Sequence, residues 1–346
     1  MSAEHFIYSA QSAIQTWVTP ARAIPVESAD IQHAREVLDL GVTGDSRAPY
    51  THVLGAKPVT LKLAMPFWTV NMATLLKTLC TNNTITEISA GAVYDHAMLF
   101  DDTAALGCVS GQVKYKSDLA RNVLGATPNG LTIGAAIKEP VKLTFDMIAK
   151  DEALAAATWD FDGSASPAVI ASPTYGTLRR PLMFYDASVT AGGTPSLNSG
   201  TKKISIAGGT AYTKVNSMEI AINANLDADG FALSSDPTVI ELGPGSREIK
   251  VTLEMSWTDY ATTFYTNARA GTAMAVALEL SGQTIASSYK YEAHVFVPSV
   301  FFDPVNLPDI SGDKSRKKIQ VTGTAQYDAA TGVDFGIWVR TGEATI

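Results

Sequence analysis

Two stretches of alternating apolar and polar residues stand out along this chain. In the first, residues 59–65, every second side chain is apolar, which is the period of a β-strand with one buried face. Pro66 ends the alternation, because proline has no backbone N–H to donate to a neighbouring strand. Apolar residues then recur at the helical spacing i, i+3, i+4 and i+7: Met72, Leu75, Leu76 and Leu79. The segment therefore predicts a strand that leads into a short helix.

The second stretch repeats this arrangement in the other half of the chain. Residues 249–255 alternate in the same way, and a Trp-Thr pair follows both stretches, beginning at Trp68 and at Trp257. A second helix is predicted next, with Thr258 as its N-cap and Gly271 at its C-terminal end. Its apolar stripe consists of Ala261, Phe264, Tyr265 and Ala268.

Shorter alternations predict further strands in both halves. We expect strands at residues 6–10, 28–34, 141–147, 217–223, 273–280, 291–297, 318–324 and 333–339. Residues 112–116 are interpreted as a short, exposed edge strand, because lysines alternate with apolar side chains there. Asn129 and Gly130 form a dipeptide that is typical of turns.

The two halves share the order of these elements as well as one strand. Ile31 matches Ile220 189 residues later, and residues 59–65 match residues 249–255 at nearly the same spacing. One amphipathic strand resembles any other, but several elements in one order at near-constant spacing indicate a duplication. Residues 159–180 have the composition of a linker. We therefore expect two mainly β domains, residues 1–170 and 171–346, each a β-sandwich or barrel with a flanking short α-helix.

Length and charge narrow the class of protein. The chain has 346 residues, enough for two domains or one large β domain with a sizeable core. Its 34 acidic and 26 basic residues leave a net charge of −8, which argues against a general grip on nucleic acid phosphates. No stretch approaches the roughly 18–20 apolar residues of a membrane-spanning helix, and no signal peptide is recognisable. We expect synthesis in the cytoplasm and no membrane partner.

Candidate catalytic and metal-binding groups are scattered along the sequence. Cys80 and Cys108 have neither a C-x-x-C spacing nor partner histidines, so both are predicted to be small apolar core residues. The five histidines include no i, i+4 pair: His5, His33, His52, His96 and His294. We predict no catalytic residue, no metal site and no cofactor, and we expect that the protein is not an enzyme.

Three further segments are interpreted structurally rather than chemically. Residues 107–111 place Ser110 near two glycines without the spacing of a nucleophile elbow, and they are expected to form a turn. Residues 243–246 are glycine-rich but lack the Lys-Ser/Thr ending of a phosphate-binding loop. Paired carboxylates could bind a cation but more often solvate turns; they are Asp101, Asp102, Asp160 and Asp162.

Several short phrases of the chain resemble the major tail tube proteins of long-tailed bacteriophages. The phrases lie at residues 24–29, 59–65, 181–187, 215–220 and 245–253, and the resemblance covers most of the chain. It carries no catalytic signature. It implies a β-sandwich or barrel subunit with a flanking helix, assembled into rings that stack into a hollow tube for DNA. The chain is long for one tube domain, and a duplication would account for its length.

The resemblance and the duplication together predict a structural virion protein. We expect a trimeric ring with pseudo-sixfold symmetry, in contact with other tail proteins, through which phage DNA passes without specific binding. An acidic wall would let DNA slide past rather than adhere. The alternatives are a capsid or other virion jelly-roll protein and, from a different class, a β-sandwich enzyme or sugar-binding module.

Two expectations concern particular residues. The long connections at residues 36–54 and 226–241 are too long and polar to be buried in one domain, so they should bridge subunits or successive rings. Leu61 and Leu253 are expected to be buried equivalents in the two domains.

Overall fold

The computed structural model describes most of the chain. The described residues are 5–11, 13–35, 37–39, 52–100, 106–116, 119–155, 180–231, 238–243, 245–256, 264–305 and 318–346. The fold is mainly β, as the sequence predicts. Below, the N-terminal half means residues 5–155 and the C-terminal half means residues 180–346.

The N-terminal half contains twelve strands and one helix among its described residues. They are β1 (His5–Gln11), β2 (Arg22–Pro25), β3 (Ser28–His33), β4 (Val37–Asp39), β5 (His52–Leu54), β6 (Val59–Pro66), α1 (Met72–Leu79), β7 (Asn82–Ser89), β8 (Val93–Leu99), β9 (Cys108–Lys116), β10 (Leu119–Ala136), β11 (Lys142–Ala149) and β12 (Asp151–Leu154).

The described residues of the C-terminal half form ten strands, one α-helix and a short 3-10 helix at Phe184–Asp186. The strands and the α-helix are β13 (Ala187–Ala191), β14 (Thr194–Leu197), β15 (Ile204–Ala207), β16 (Thr210–Tyr212), β17 (Val215–Asn223), β18 (Glu248–Ser256), α2 (Tyr265–Ala270), β19 (Met274–Ala286), β20 (Tyr289–Phe302), β21 (Lys318–Ala325) and β22 (Gly336–Thr341).

The predicted strand and helix at residues 59–79 are confirmed. The apolar side chains of β6 are buried and alternate with more exposed neighbours, and the strand ends at Pro66. The next helix, α1, buries seven of its eight residues, so it is a core element rather than a surface helix. Asn71 precedes it with a positive φ of 65°, a conformation that asparagine tolerates better than most residues.

The second strand and helix follow the same pattern. Strand β18 alternates as predicted, and α2 ends at Gly271, whose φ of 64° is the left-handed conformation that glycine adopts readily. Trp257, Thr258 and Ala261 lie outside the described residues, and the N-cap prediction falls there.

Eight strands form one antiparallel sheet that runs through both halves, which we call the central sheet. Its order is β3, β6, β11, β10, β17, β18, β21 and the end of β20. The halves meet within it, because residues 130–136 of β10 pair with residues 217–223 of β17. The central sheet is therefore continuous across the middle of the chain.

Two flanking sheets branch from the central sheet. The N-flanking sheet has the order β2, β1, β9, β10 and β12, and the C-flanking sheet has the order β16, β13, β19, β20, β22, β8 and β7. The long strands β10 and β20 each belong to the central sheet at one end and to a flanking sheet at the other. Apolar side chains from all three sheets and both helices meet in one core cluster.

The same strand pairings occur in both halves. The pairings β1–β2, β1–β9, β9–β10, β10–β12, β10–β11, β11–β6 and β6–β3 have the counterparts β13–β16, β13–β19, β19–β20, β20–β22, β20–β21, β21–β18 and β18–β17. Helices α1 and α2 follow the counterpart strands β6 and β18. Three features have no counterpart among the described residues: the hairpins β4–β5, β7–β8 and β14–β15.

The pairing register refines one prediction. Leu61 and Leu253 are both buried, as expected. However, Leu61 lies opposite Ile31, whereas the matching Ile220 lies opposite Val251. Leu61 therefore corresponds to Val251, and Leu253 corresponds to Leu63.

Two predictions for the N-terminal half are wrong. Residues 112–116 are not an exposed edge, because β9 lies between β1 and β10 and Gln112 is fully buried. Residues 107–111 do not form a turn, since all but the first belong to β9. The amide of Gln112 donates to the carbonyl of the equally buried Asn122 at 2.8 Å, and this bond lets polar side chains occupy an interior strand.

Asn129 and Gly130 do not form a turn either. They lie inside β10, where the register with β11 shifts at Gly130. The Asn129 side-chain oxygen accepts the N–H of Leu226, and its backbone oxygen accepts the N–H of Ala224. The irregularity therefore receives the chain that leaves β17.

The long connections are described only in part. Residues 40–51 and 232–237, and residues 156–179 of the predicted linker, lie outside the described residues. Within the second connection, Leu226 and Val239 are buried, so this part is not wholly a surface loop as we expected.

Candidate assembly surfaces

One edge of the central sheet is open. Among the described residues, β3 pairs only with β6. The N–H of Ala34 donates to the Pro58 carbonyl at 3.3 Å, so the backbone polar groups of His33 face the other way. Because this direction alternates along an antiparallel strand, those of Ala29 and Ile31 also face the open side. An open row of donors and acceptors is a template for another strand.

The corresponding edge in the C-terminal half is covered. Strand β17 pairs with β18 on one side, as β3 pairs with β6, but residues 130–136 of β10 occupy its other side. Ile220, the counterpart of Ile31, lies opposite Ile133 of β10. The two halves thus differ in whether this edge has a partner.

A charged group lies over the open edge. The Nη1 of Arg121 donates to the Ile31 carbonyl at 2.9 Å. The same guanidinium contacts Glu152 through Nε at 3.1 Å and through Nη2 at 2.8 Å, and His33 lies 2.9 Å from the other Glu152 oxygen. Bidentate pairing of this kind fixes the position of a guanidinium as well as its charge.

The face of the central sheet that points away from the core is polar. On this face Asp30, Lys62 and Asp146 lie opposite one another on three adjacent strands. Hydroxyl and small side chains fill much of the rest: Ser28, Thr60, Ala64, Thr132, Gly134, Thr144, Ser217, Ala221, Thr252, Thr322 and Thr324. We call this surface the polar face.

The lysines around the polar face have carboxylate neighbours. The distances are 3.4 Å for Lys62–Asp146, 2.8 Å for Lys318–Glu254, 2.9 Å for Lys250–Glu248 and 3.4 Å for Lys142–Glu139. Exposed pairs of this kind contribute only about 0–1 kcal/mol each to stability. Their larger effect is to cancel positive charge locally, so the face presents no cluster of unpaired cations to a phosphate backbone.

A cavity of about 380 Å³ lies where the two halves meet. It is lined by the end of β10, by Phe184 and by strands β13, β16 and β17. The hydroxyl of Tyr212 and the amide nitrogen of Asn216 line it and are buried without a hydrogen-bond partner in the described part of the chain. Each such group typically costs about 1–3 kcal/mol of folding free energy.

A buried charged cluster is found only in the C-flanking sheet. Arg340 donates to both oxygens of Asp95 at 2.7 and 3.0 Å and contacts Glu292 at 2.7 Å, and Lys203 also pairs with Asp95. Burial raises the pKa of Asp95, but hydrogen bonds from Arg340 and Lys203 outweigh burial and hold it below its usual value. The cluster ties the β14–β15 hairpin to strands β8 and β22.

His294 stacks against this cluster on the ring of Trp338, with 4.0 Å between centroids. Burial, together with the nearby cations Lys203 and Arg340, lowers the pKa of His294 to about 4. The imidazole is therefore neutral at pH 7. No acid–base role is indicated, since its neighbours are structural pairs.

The end of the chain is tied to the N-terminal half. Glu343 forms an ion pair with Arg22 at 3.0 Å, accepts the backbone N–H of Asn71 at 2.9 Å and lies with its carbonyl 2.8 Å from the His96 ring. The preceding strand β22 pairs with β8 over six residues.

The sequence predicts no catalytic or metal-binding residue, and the described geometry offers no such site to name. Cys80 and Cys108 are buried thiols, and burial raises both pKa values, that of Cys108 to about 11. No cluster of three potential metal ligands occurs within the described residues. Asp101, Asp102, Asp160 and Asp162 lie outside them. No helix in the described ranges is long and apolar enough to cross a membrane.

Comparison with known proteins identifies one matching family. A family model described as phage tail tube protein matches residues 6–325. No curated protein matches the chain.

Proposed function

We propose, from the premise that this chain belongs to the phage tail tube protein family, that three copies close into a ring and that stacked rings form a conduit for DNA. Membership in the family makes the protein a structural component of the virion tail. The ring, its stoichiometry and the passage of DNA are our proposal.

The observation that carries the proposal is the open edge of β3 beside the covered edge of β17. Within the chain, β10 of one half completes the central sheet against β17 of the other. If the same contact repeats between chains, the counterpart of residues 130–136 begins at Asp303, directly after β20. Asp303 donates its N–H to Thr322 of β21 at 2.9 Å, just where Gly130 lies opposite Asp146 of the counterpart strand β11. This edge would pair with β3 of the next chain.

The stoichiometry follows from the repeated pairings. We propose that residues 1–170 and 171–346 are two copies of one tube domain. A chain with two such domains already contains one of the contacts that a ring needs, and each chain adds one more contact at β3. Closure requires both contacts to turn the sheet through nearly the same angle. Three chains then give pseudo-sixfold symmetry, and fusion holds each pair of domains at high effective concentration.

The polar face supports a role as the lining of the conduit. Closing the central sheet into a barrel would place one of its faces inside and leave the core on the other side. The polar face has neutralised lysines and small hydroxyl side chains, so duplex DNA would find no array of cations to bind. DNA could therefore move along it without a strong hold.

The test is the mass and symmetry of the assembled particle. Purified protein should give rings whose native mass equals three chains, and electron micrographs should show tubes with threefold symmetry and near-sixfold features. Rings of six chains would contradict the two-domain proposal while leaving a tail tube role intact. Isolated chains or closed shells at all concentrations would contradict ring assembly itself.

A further inference from the structure

The open edge of β3 carries a cover that belongs to the same chain. Ile31 presents its carbonyl to the open side, and this carbonyl is already occupied by Nη1 of Arg121 at 2.9 Å. Its counterpart in the C-terminal half, Ile220, instead faces Ile133 of β10. A guanidinium thus occupies the position that a strand occupies in the other half.

Glu152 holds the guanidinium in this position. Arg121 lies on β10 and Glu152 on β12, both in the N-flanking sheet, and the two form a bidentate pair with distances of 3.1 and 2.8 Å. Glu152 is largely buried, while Arg121 keeps about a fifth of its side chain exposed. The pair therefore reaches from the N-flanking sheet to the margin of the central sheet, where water and another chain can approach.

Charged side chains at an open edge are a known means of preventing indiscriminate strand pairing. A ring-forming protein needs such protection only until its proper partner arrives. Because an incoming strand must donate to the Ile31 carbonyl, it can pair fully with β3 only after Arg121 has left that oxygen.

The partner edge of a second copy has a complementary charge. In the repeated contact, Asp303 corresponds to Gly130, so it would lie opposite Ala34, which corresponds to Asn223 of β17. Asp303 is exposed, and its carboxylate would arrive beside His33 and Arg121. Pro304 follows it and has no N–H to donate, so the first part of this edge offers charge rather than ladder hydrogen bonds.

We propose that Arg121 and Glu152 form a removable cover on the β3 edge, and that the edge beginning at Asp303 of a second copy displaces Arg121 from Ile31. This inference rests on the proposed function, since it specifies how the ring-closing contact is controlled. The cover keeps single chains from pairing at random, and the carboxylate of Asp303 attracts the guanidinium as the correct edge arrives.

The test is the rate of ring closure after removal of the cover. Arg121→Ala should close three-chain rings at least about tenfold faster than the wild-type chain at equal concentration, measured by time-resolved native mass or light scattering. Arg121→Ala leaves Glu152 without its main partner, so the double variant Arg121→Ala with Glu152→Ala removes both charges and should close rings equally fast. Arg269→Ala is the matched control, because it removes an exposed arginine on α2 and should leave the rate unchanged.

The partner edge has its own measurement. Asp303→Asn in the wild-type background should slow closure several-fold at low salt and by less at high salt, as expected for loss of an attractive charge. Wild-type or slower closure by both Arg121 variants would overturn the cover, and an unchanged rate for Asp303→Asn would overturn the choice of partner edge. If wild-type rings never form, the proposed function fails; if they form and the Arg121 variants are no faster, only this inference fails.

Discussion

Strands β3 and β17 hold the same position in the two halves but differ in what lies beside them. Both pair with the strand that leads to a helix, and Ile31 and Ile220 occupy matching places in the two registers. Strand β17 has nine residues and is covered by β10, whereas β3 has six residues and meets only the side chain of Arg121. The comparison shows that nearly equivalent strands can carry a permanent contact in one half and a contact awaiting a partner in the other.

The largest expected effect comes from placing proline on the open edge. Ala29→Pro removes an N–H that faces the open side, so the single chain should keep its stability within about 1 kcal/mol while ring formation is lost. Native mass and thermal unfolding measure the two properties separately. Rings of normal mass from this variant would show that β3 is not the closing edge.

Two matched prolines sharpen this comparison. Asp30→Pro removes the neighbouring N–H, which faces β6, and should destabilise the single chain by about 1–3 kcal/mol by leaving a carbonyl unpaired. Met218→Pro, the counterpart of Ala29→Pro on the covered edge, should also destabilise the single chain, because that N–H faces β10. Equal stability of all three variants would contradict the assigned strand directions.

Core truncation asks whether the two halves are equally dependent on their central strands. Leu61→Ala and Leu253→Ala should each cost about 2–5 kcal/mol, since both side chains are almost fully buried in one cluster. Denaturant unfolding measures the loss. An unchanged midpoint for either variant would contradict its place in the core.

Acid should weaken the C-terminal half through His294. Its folded pKa of about 4 lies below the ordinary value of 6.5, so the unfolded chain binds a proton more readily between these values. Stability is therefore fully present above pH 6.5 and falls as the pH drops towards 4, by up to about 3 kcal/mol at 1.4 kcal/mol per unit. His294→Phe should flatten this part of the stability profile. A profile as steep as that of the wild type would assign the acid sensitivity to other groups.

The cavity between the halves predicts a stabilising substitution. Tyr212→Phe removes a buried hydroxyl that has no partner in the described residues, so it should raise the free energy of unfolding by about 1 kcal/mol. Tyr8→Phe is the contrasting variant, because the Tyr8 hydroxyl donates to the Asn71 carbonyl and its loss should destabilise. Destabilisation by both would mean that the Tyr212 hydroxyl is satisfied.

The smallest effect on stability is expected on the polar face. Asp30→Asn combined with Asp146→Asn should change the free energy of unfolding by less than about 1 kcal/mol, because the pairs with Lys62 are exposed. The released Lys62 should nevertheless give rings a weak, salt-sensitive affinity for duplex DNA, measured by fluorescence anisotropy. If no affinity appears at low salt, cancellation of charge is not what keeps this face from binding DNA.

The sequence predicts the central sheet better than the flanking sheets, for a physical reason. In β6 and β18 one face is buried and the other is polar, so alternation along the chain reports the fold directly. Strand β9 also alternates, but its polar residues lie inside, where Gln112 bonds to Asn122. A pattern cannot show whether a polar side chain points to water or to a distant amide.

The assembly surfaces depend on contacts that leave little local signal. The turn-like pair at Asn129 is absorbed by the chain leaving β17, and Arg121 reaches Ile31 across 90 positions of sequence. The alternations around Ile31 and Ile220 are similar, and nothing in them tells which strand has an open side. The absence of a catalytic motif was visible in the sequence, but the cover on β3 was not.

The tie between the end of the chain and the N-terminal half has a consequence for biosynthesis. Strand β22 completes the sheet beside β8, and Glu343 reaches Arg22 across 321 positions of sequence. Contacts this distant form late, since their loop-closure entropy must be offset by structure already in place. A ribosome that has released only the N-terminal half therefore holds a domain whose β7–β8 hairpin still lacks its neighbour. The N-terminal half can finish folding only when the last strand emerges, so a truncated chain would be left without this contact.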